Sequence, residues 1–335
     1  MTAPLPAEWA PHRAIWVGWP SHAEYWFEPF EQAQDEVEAL VRALAGPGRE
    51  QVRLMVGAPE LAEGVRARFA DVANVEVVPG VFGDVWLRDT GPLFWAGSKT
   101  AAAFRFNGWG EKYVMPGDET VAEQIGVHSG ATLSWNDFVM EGGSLDHDGE
   151  GTVLTTRQCL LNPNRNPAWN QDEAVATAAL EAAIGAKKVL WLGDGLLNDH
   201  TDGHVDNLAR FVAPGVVACP IAWGRNDPNA EVYDAVARDL SVMTDAAGRK
   251  IHVLRIPSPG LVLDEDERPI PASHMNFLIA NGAVIVPTYG DDRAADMACQ
   301  ALKEAFPDRE IIPLPSNAIL TGGGSFHCIS QQEPE

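Results

Sequence analysis

The sequence predicts an α/β fold built from a repeated unit, and two observations carry this prediction. The order strand, turn, strand, helix, strand recurs along the chain, with unit starts near positions 89, 141, 204, 274 and 328. The spacing of roughly 50–70 residues is typical of repeat architectures and propellers. No long linker interrupts the 335 residues, so we expect a single domain over residues 1–335.

The N-terminal quarter alternates strands with helices. A helix is predicted over 29–45, because apolar residues recur at i, i+3, i+4 and i+7 and Gly46-Pro47-Gly48 ends the pattern. A second helix is predicted over 61–70. Strands are predicted at 14–20, 52–56 and 75–79.

Hairpins and capped helices make up the remaining units. Hairpin turns are predicted at 96–98, 146–151, 214–215 and 281–282, and outgoing strands at 201–211 and 273–279. Helices are predicted to start at an Asn170–Glu173 capping box, at Asp227-Pro228 and at Asp291. A short final strand is predicted at 326–329, after Gly322-Gly323-Gly324.

Composition narrows the class of protein. No apolar run approaches the roughly 18 residues of a membrane span, and the N-terminal residues do not resemble a signal peptide. Four widely spaced cysteines indicate neither a zinc ribbon nor a disulfide framework, so we expect a cytoplasmic protein. A net charge of −23 disfavours nucleic acid and anionic membranes and favours a small cationic ligand, although acidity also serves solubility alone.

The unit starts carry the reactive side chains. They hold Asp89, Glu141, His204 with Asp206, and Cys328; the fourth unit instead has His274 and Asn276. If the units surround a pseudo-symmetry axis, these side chains meet near it. Carboxylates bind a planar guanidinium bidentately, a cysteine can attack its central carbon, and an imidazole can move protons.

Each residue also has a structural interpretation. Asp89 and Arg88 could form a surface ion pair, and Glu141 could cap a turn. His204 and Asp206, two apart on a predicted strand, could share a hydrogen bond or form half of a metal site. Cys328 could be an inert core thiol. Cys159, Cys219 and Cys299 are predicted to be core thiols, and His327 is predicted to point away from Cys328.

The chain resembles the agmatine deiminase family, a branch of the guanidine-modifying (pentein) superfamily related to bacterial peptidyl-arginine deiminases. The matching segments span nearly the whole chain: 6–9 through Trp19-Pro20, 86–92, 106–110, Glu141-Gly142-Gly143, 201–206, 276–287 and 322–332.

The resemblance implies a five-bladed α/β propeller that hydrolyses agmatine to N-carbamoylputrescine and ammonia, a step of polyamine biosynthesis, without metal or cofactor. It implies that Cys328 is the nucleophile that forms a thiouronium intermediate and that His204 and Glu141 act as acid/base and positioning pair. Asp89 and Asp206 would clamp the guanidinium. Trp86 would line the substrate's methylene chain, and the glycines, Gly324 among them, would leave room for a flat substrate. A homodimer is also suggested.

Two segments depart from the family pattern. Residues 316–320 lack the expected charged side chains, and His274 stands where the family more often has tyrosine. These positions bear on the end of the pocket that binds the substrate's tail. The nearest alternative activity is therefore a peptidyl-arginine or free-arginine deiminase, which needs a counter-charge for a carboxylate; Arg88, Arg105 and Arg225 are the candidates. An amidinotransferase would use the same cysteine with an amine acceptor, and a non-catalytic polyamine-binding propeller is an alternative of another class.

Overall fold

The computed structural model describes residues 3–26 and 29–335. Residues 1 and 2, with which the predicted domain begins, lie outside the described residues. Five small sheets make up the strands of this part of the chain. The strands are β1 His12–Trp19, β2 Val52–Val56, β3 Val75–Pro79, β4 Leu93–Phe94, β5 Thr100–Arg105, β6 Thr132–Val139, β7 Asp146–His147, β8 Thr152–Thr156, β9 Lys188–Leu192, β10 Arg210–Ala213, β11 Val216–Ile221, β12 His252–Pro257, β13 Leu278–Ile279, β14 Ala283–Thr288, β15 Glu310–Pro315 and β16 Ser330–Pro334.

The sheets share one connection pattern. In β4-β5-β6, β7-β8-β9, β10-β11-β12 and β13-β14-β15, the first two strands are antiparallel and the last two are parallel. The first sheet has the order β16-β1-β2-β3, so that β16, from the far end of the chain, takes the place of the antiparallel first strand. The same unit is therefore built five times.

Helices connect the parallel strands, as such connections require. The longer ones are α1 Phe30–Ala45, α2 Ala62–Arg68, α3 Val121–Ser129, α4 Glu173–Ile184, α5 Ala230–Val242 and α6 Asp292–Ala305. Single helical turns lie at Ala23–Trp26, Leu87–Thr90, Gly108–Glu111, Arg157–Leu160 and Asn317–Thr321, and 3-10 turns at Pro59–Leu61, Asp118–Thr120, Gly142–Ser144, Pro167–Trp169, Val205–Asn207 and His274–Asn276. No helix in the described ranges is long and apolar enough to cross a membrane.

Five apolar cores join the sheets in a closed ring. Each core contains side chains from two neighbouring sheets. The sheet pairs are represented by Met55 with Ala101, Phe104 with Val153, Leu190 with Val217, Ala218 with Val284, and Ile285 with Leu54. Because the fifth core returns to the first sheet, the architecture is the predicted five-bladed α/β propeller.

The turns that start the units meet at the centre of this ring. Arg88 N donates to Cys328 O at 3.1 Å, and His327 N donates to Asn276 O at 3.2 Å. Ser273 Oγ donates to Asn207 O at 2.7 Å, and Gly143 N donates to an Asp89 carboxylate oxygen at 2.9 Å. The repeat predicted from the sequence therefore brings distant positions together.

Several local predictions are wrong at this centre. Strand β10 covers only Arg210–Ala213 of the predicted 201–211, and residues 326–329 form a turn before β16. These segments point polar groups inward at the ring's centre, where a sheet ladder cannot continue.

Helix starts were predicted with mixed success. The cap of α6 is Asp291, as predicted, and its side chain accepts from Ala294 N at 2.9 Å. The capping box is wrong, because Asn170 has a left-handed φ of 50° and Asp172 caps α4 instead. The α5 start is also wrong by position, since the cap is Asn229.

Candidate active site

The cysteine, histidine and three carboxylates predicted from the unit starts all lie together and are buried. The thiol of Cys328 lies 3.5 Å from Asp206 Oδ2, and Asn276 Nδ2 donates to its sulfur at 3.1 Å. The turn at Phe326–Ile329 aims the thiol at these groups, and Arg88 N fixes the turn by its bond to Cys328 O.

His204 lies between two carboxylates. Its Nδ1 is 3.7 Å from Asp89 Oδ1, and its Nε2 is 3.9 Å from Glu141 Oε2. Both distances exceed a hydrogen bond. The other oxygen of Glu141 accepts from Arg165 Nε at 2.9 Å, with both side chains buried. The imidazole is therefore held by charge and by packing, with both nitrogens free.

Asp89 is held in place from two sides. Trp109 Nε1 donates to Oδ2 at 2.9 Å, and Gly143 N donates to Oδ1 at 2.9 Å. The alternative of a surface ion pair between Asp89 and Arg88 is wrong, because both side chains are buried and Arg88 NH1 donates to Gln332 Oε1 at 2.6 Å.

His327 belongs to this network, contrary to the prediction that it points away. Its Nδ1 lies 2.8 Å from Asp206 Oδ2, and its Nε2 lies 3.1 Å from Glu8 Oε2. Glu8 in turn pairs with the buried Arg210. The prediction failed because it assumed a strand, in which neighbours face opposite sides, whereas residues 326–329 form a turn.

His204 and Asp206 do not share the hydrogen bond that was one structural interpretation. They lie around the 3-10 turn Val205–Asn207, and neither ring nitrogen of His204 has a hydrogen-bond partner among the described residues. The side chains that cluster with His204 at metal-ligand spacing are Glu141 and Cys159. Cys159 is buried, as predicted for a core thiol, yet it borders the site.

The electrostatic environment sets the protonation states. Burial, followed by the charges of Asp206 and Asp89, raises the pKa of the Cys328 thiol well above its usual value. Burial alone would lower the pKa of His204, but Asp89 and the other neighbouring groups outweigh it and raise that pKa well above its usual value. A neutral thiol and an imidazolium therefore coexist in the site.

The carboxylates differ from one another. Burial, with Asp206 and Glu141 nearby, raises the pKa of Asp89. Burial would also raise the pKa of Glu141, but His204 and Arg165 hold it below its usual value. Burial acts the same way on Asp206, whose pKa His327 nevertheless lowers. The site thus holds buried negative charge that a cationic ligand would neutralise.

A cleft of about 730 Å³ leads from the surface to the thiol of Cys328. Trp86 forms one wall, as predicted; it stacks on Trp26 with ring centroids 6.2 Å apart and donates to Asp84 Oδ2 at 2.8 Å. Gly324 also lines the cleft, and a Cβ there would lie 2.5 Å from Trp86 and 3.1 Å from Cys328 Sγ. The remaining lining residues are Tyr25, Asp89, Trp109, Tyr113, Met115, His200, Thr201, Thr321, Gly322 and Gly323.

The five-sheet ring around a buried cysteine, histidine and carboxylates defines the class: this is the pentein fold of the guanidine-modifying enzymes. The DDAH from Pseudomonas aeruginosa shares the fold, with a TM-score of 0.54 over 96% of this chain and 99% of that one at 13% identity.

More specifically, the chain belongs to the Porphyromonas-type peptidyl-arginine deiminase family, whose model matches residues 4–334. It is 38% identical over 358 residues to the agmatine deiminase of Pseudomonas aeruginosa (strain LESB58), covering 98% of this chain and 95% of that protein. It superposes on the agmatine deiminase of Enterococcus faecalis with a TM-score of 0.91 and 31% identity, over 99% of this chain and 96% of that one.

Proposed function

We propose that this protein is an agmatine deiminase, which hydrolyses the guanidinium of agmatine to N-carbamoylputrescine and ammonia. One observation carries the proposal: the cleft that reaches Cys328 is lined by the carboxylates Asp84 and Asp89, and no arginine or lysine is among its described lining residues. Agmatine is cationic at both ends and carries no carboxylate, so this charge pattern suits it. The family and the curated relatives named agmatine deiminases support the same activity.

Asp89 and Asp206 would bind opposite edges of the guanidinium, since each side chain lies beside the thiol or the imidazole that must reach the same carbon. Two carboxylates bind such a fork bidentately with charge-assisted hydrogen bonds. Trp86 would cover the methylene chain. The bound cation offsets the negative charges that hold the Cys328 thiol protonated, so binding itself favours loss of the thiol proton.

The resulting thiolate would attack the guanidinium carbon. The imidazolium of His204 would protonate the departing nitrogen, releasing ammonia and leaving a thiouronium on Cys328. The neutral imidazole would then take a proton from water, and the hydroxide would attack the same carbon. Collapse of that intermediate releases the ureido product and the thiolate, while Glu141 orients His204 and stabilises its charged form.

Arginine and peptidyl-arginine fit the cleft less well. Their carboxylate or peptide would need a cation, but Arg88 is buried and bound to Gln332. Arg105 pairs with Asp137 on an exposed strand end, and neither Arg105 nor Arg225 lines the cleft. A non-catalytic polyamine-binding propeller would not need the thiol and imidazole at its centre.

Three substrates test the proposal: agmatine, arginine and a blocked arginyl peptide, with ammonia and ureido product measured together. We expect agmatine to have the highest kcat/KM and Cys328→Ala to abolish turnover, whereas Cys219→Ser, a buried thiol of β11, keeps it. Activity that survives in Cys328→Ala would exclude the mechanism, and faster turnover of arginine would exclude the substrate assignment.

A further inference from the structure

Cys159 is a buried thiol beside the candidate active site that the proposed mechanism does not use. It lies on the helical turn Arg157–Leu160, where its backbone N–H is bonded to the Thr156 hydroxyl at 3.3 Å. A ligand atom of Cys159, one of Glu141 and one of His204 all lie within 4.8 Å of one another, and all three residues are fully buried.

The cluster contains polar atoms without partners. Oε2 of Glu141 and both ring nitrogens of His204 are buried and lack a hydrogen-bond partner among the described residues. Buried polar atoms are nearly always paired, because leaving one unpaired costs free energy. Arg165 occupies only Oε1 of Glu141, so Oε2 remains available to a ligand between Glu141 and His204.

Thiolate, imidazole and carboxylate are ligands that Zn²⁺ accepts, and three protein ligands with one open position are a common zinc arrangement. Bonds of about 2.0–2.3 Å place tetrahedral ligand atoms about 3.3–3.8 Å apart. The observed spacing of up to 4.8 Å therefore needs a closure of about 1 Å, which side-chain rotation can supply.

The surrounding charge is compatible with a cation. The carboxylate of Asp89, 3.7 Å from His204, adds negative charge next to the cluster. The guanidinium of Arg165 opposes the ion, but it is already paired with Glu141 and with Asp202.

We propose that Glu141, Cys159 and His204 form a Zn²⁺ site that inhibits the enzyme, because the ion occupies the imidazole that the reaction needs for proton transfer. Binding releases one proton from the Cys159 thiol and one from the His204 imidazolium to solvent, with no change of oxidation state. Cys328 is not a ligand in this site. The binding part of the inference is independent of the proposed function.

The binding experiment uses the full chain with Cys328→Ala, so that the thiol in the cleft cannot contribute. Metal-free protein is titrated with Zn²⁺ in competition with a chromophoric chelator, and with Co²⁺ under an absorption spectrometer. We expect one ion per chain and a thiolate-to-cobalt charge-transfer band. Adding Cys159→Ser should weaken zinc binding by at least about 100-fold and remove the band, since losses of outer-shell partners alone cost 10–100-fold. Adding Cys219→Ser should change neither.

A kinetic experiment tests the inhibition. Agmatine turnover is measured at buffered free Zn²⁺, each variant relative to its own zinc-free rate, and reversed with EDTA. We expect Cys159→Ser to need at least about 100-fold more zinc than the unmodified protein. The absence of a thiolate band in the Cys328→Ala protein, zinc binding lost through Cys328→Ala alone, or equal zinc sensitivity of Cys159→Ser would each overturn the proposal. The first two readouts decide it even if Cys159→Ser does not fold. If agmatine is not turned over, the proposed function fails while the cobalt spectrum still decides the site.

Discussion

Gly143 lies where three polar groups of the candidate site converge. A Cβ built on it would lie 2.7 Å from His204 Nδ1, 2.8 Å from Asp89 Oδ1 and 3.1 Å from Asp206 Oδ2. Its N–H meanwhile donates to Asp89. The imidazole and both carboxylates can approach one another at this point because the residue between them has no side chain.

We therefore predict that Gly143→Ala lowers kcat/KM for agmatine by about 100-fold, since misplacing catalytic groups by about 1 Å has an effect of this size. Gly64→Ala is the matched control: nothing lies within 4 Å of its added Cβ. It lies within α2, so it should raise the free energy of unfolding by about 0.5–1 kcal/mol and leave turnover unchanged. Equal kinetics for the two variants would refute this account of the site.

The sequence predicted which residues of the site converge better than it predicted their surroundings. Asp89, Glu141, Asp206 and Cys328 could be found because each starts a repeated unit, and the repeat brings unit starts together. His327 and Cys159 could not be placed in this way. Their position depends on whether the local backbone is a turn or a strand, and a short apolar run does not decide between the two.

At the scale of elements, Asp118 joins two loops that hold the cleft wall. Its Oδ1 accepts from Gly83 N at 2.7 Å and from Asp84 N at 3.3 Å, just before Trp86. Burial raises the pKa of Asp118 to about 7, while Oδ2 has no hydrogen-bond partner. Its folded-state pKa therefore lies above the unfolded value of about 4. The stabilisation this gives is present below that value and is lost as pH rises through about 7.

We predict that Asp118→Asn gains stability relative to the unmodified protein as pH rises from 5 to 8. The amide keeps the Oδ1 acceptor but cannot ionise. The difference in the free energy of unfolding should grow by at most about 1.4 kcal/mol per pH unit. Urea unfolding at three pH values measures it. Asp137→Asn, at an exposed carboxylate, is the control and should show no such trend; a flat difference for Asp118→Asn would contradict the assigned titration.

The elements themselves were predictable where periodicity was strong. Helix α1 was placed from its apolar repeat, and Val37, Leu40, Val41 and Leu44 are all fully buried. The predicted strand at 52–56 matches β2 because it is a short apolar run bounded by polar residues. Prediction failed at 201–211, where apolar residues also occur but the backbone turns to aim His204 and Asp206 at the ring's centre.

At the scale of the whole molecule, closure of the ring depends on β16. It pairs antiparallel with β1, with Val17 opposite Ser330 and Ile15 opposite Gln332. Gln332 accepts from the buried Arg88, which also anchors the turn of Cys328. The last strand thus completes the first sheet and supports the nucleophile's turn at once.

Residues near the two ends of the chain also lie close together. Trp95 Nε1 donates to Ala3 O at 2.9 Å, and Gly97 N donates to Glu335 O at 2.7 Å, so both ends border one turn between β4 and β5. A ring closed in this way should tolerate new ends elsewhere, provided that the pairing of β1 with β16 is kept.

We therefore predict opposite outcomes for two rearranged chains. Joining Glu335 to Ala3 through a linker of about eight Gly/Ser residues, and opening the chain at the exposed loop between Glu265 and Asp266, should give a folded enzyme within about threefold of the original kcat/KM. Deleting residues 330–335 should instead prevent folding, because it exposes one edge of β1 and leaves the guanidinium of Arg88 buried without Gln332. Circular dichroism melting and agmatine turnover measure both. A folded, active deletion variant would show that the ring closes without its last strand, and an unfolded permuted chain would show that chain order, and not the cyclic set of cores, determines stability.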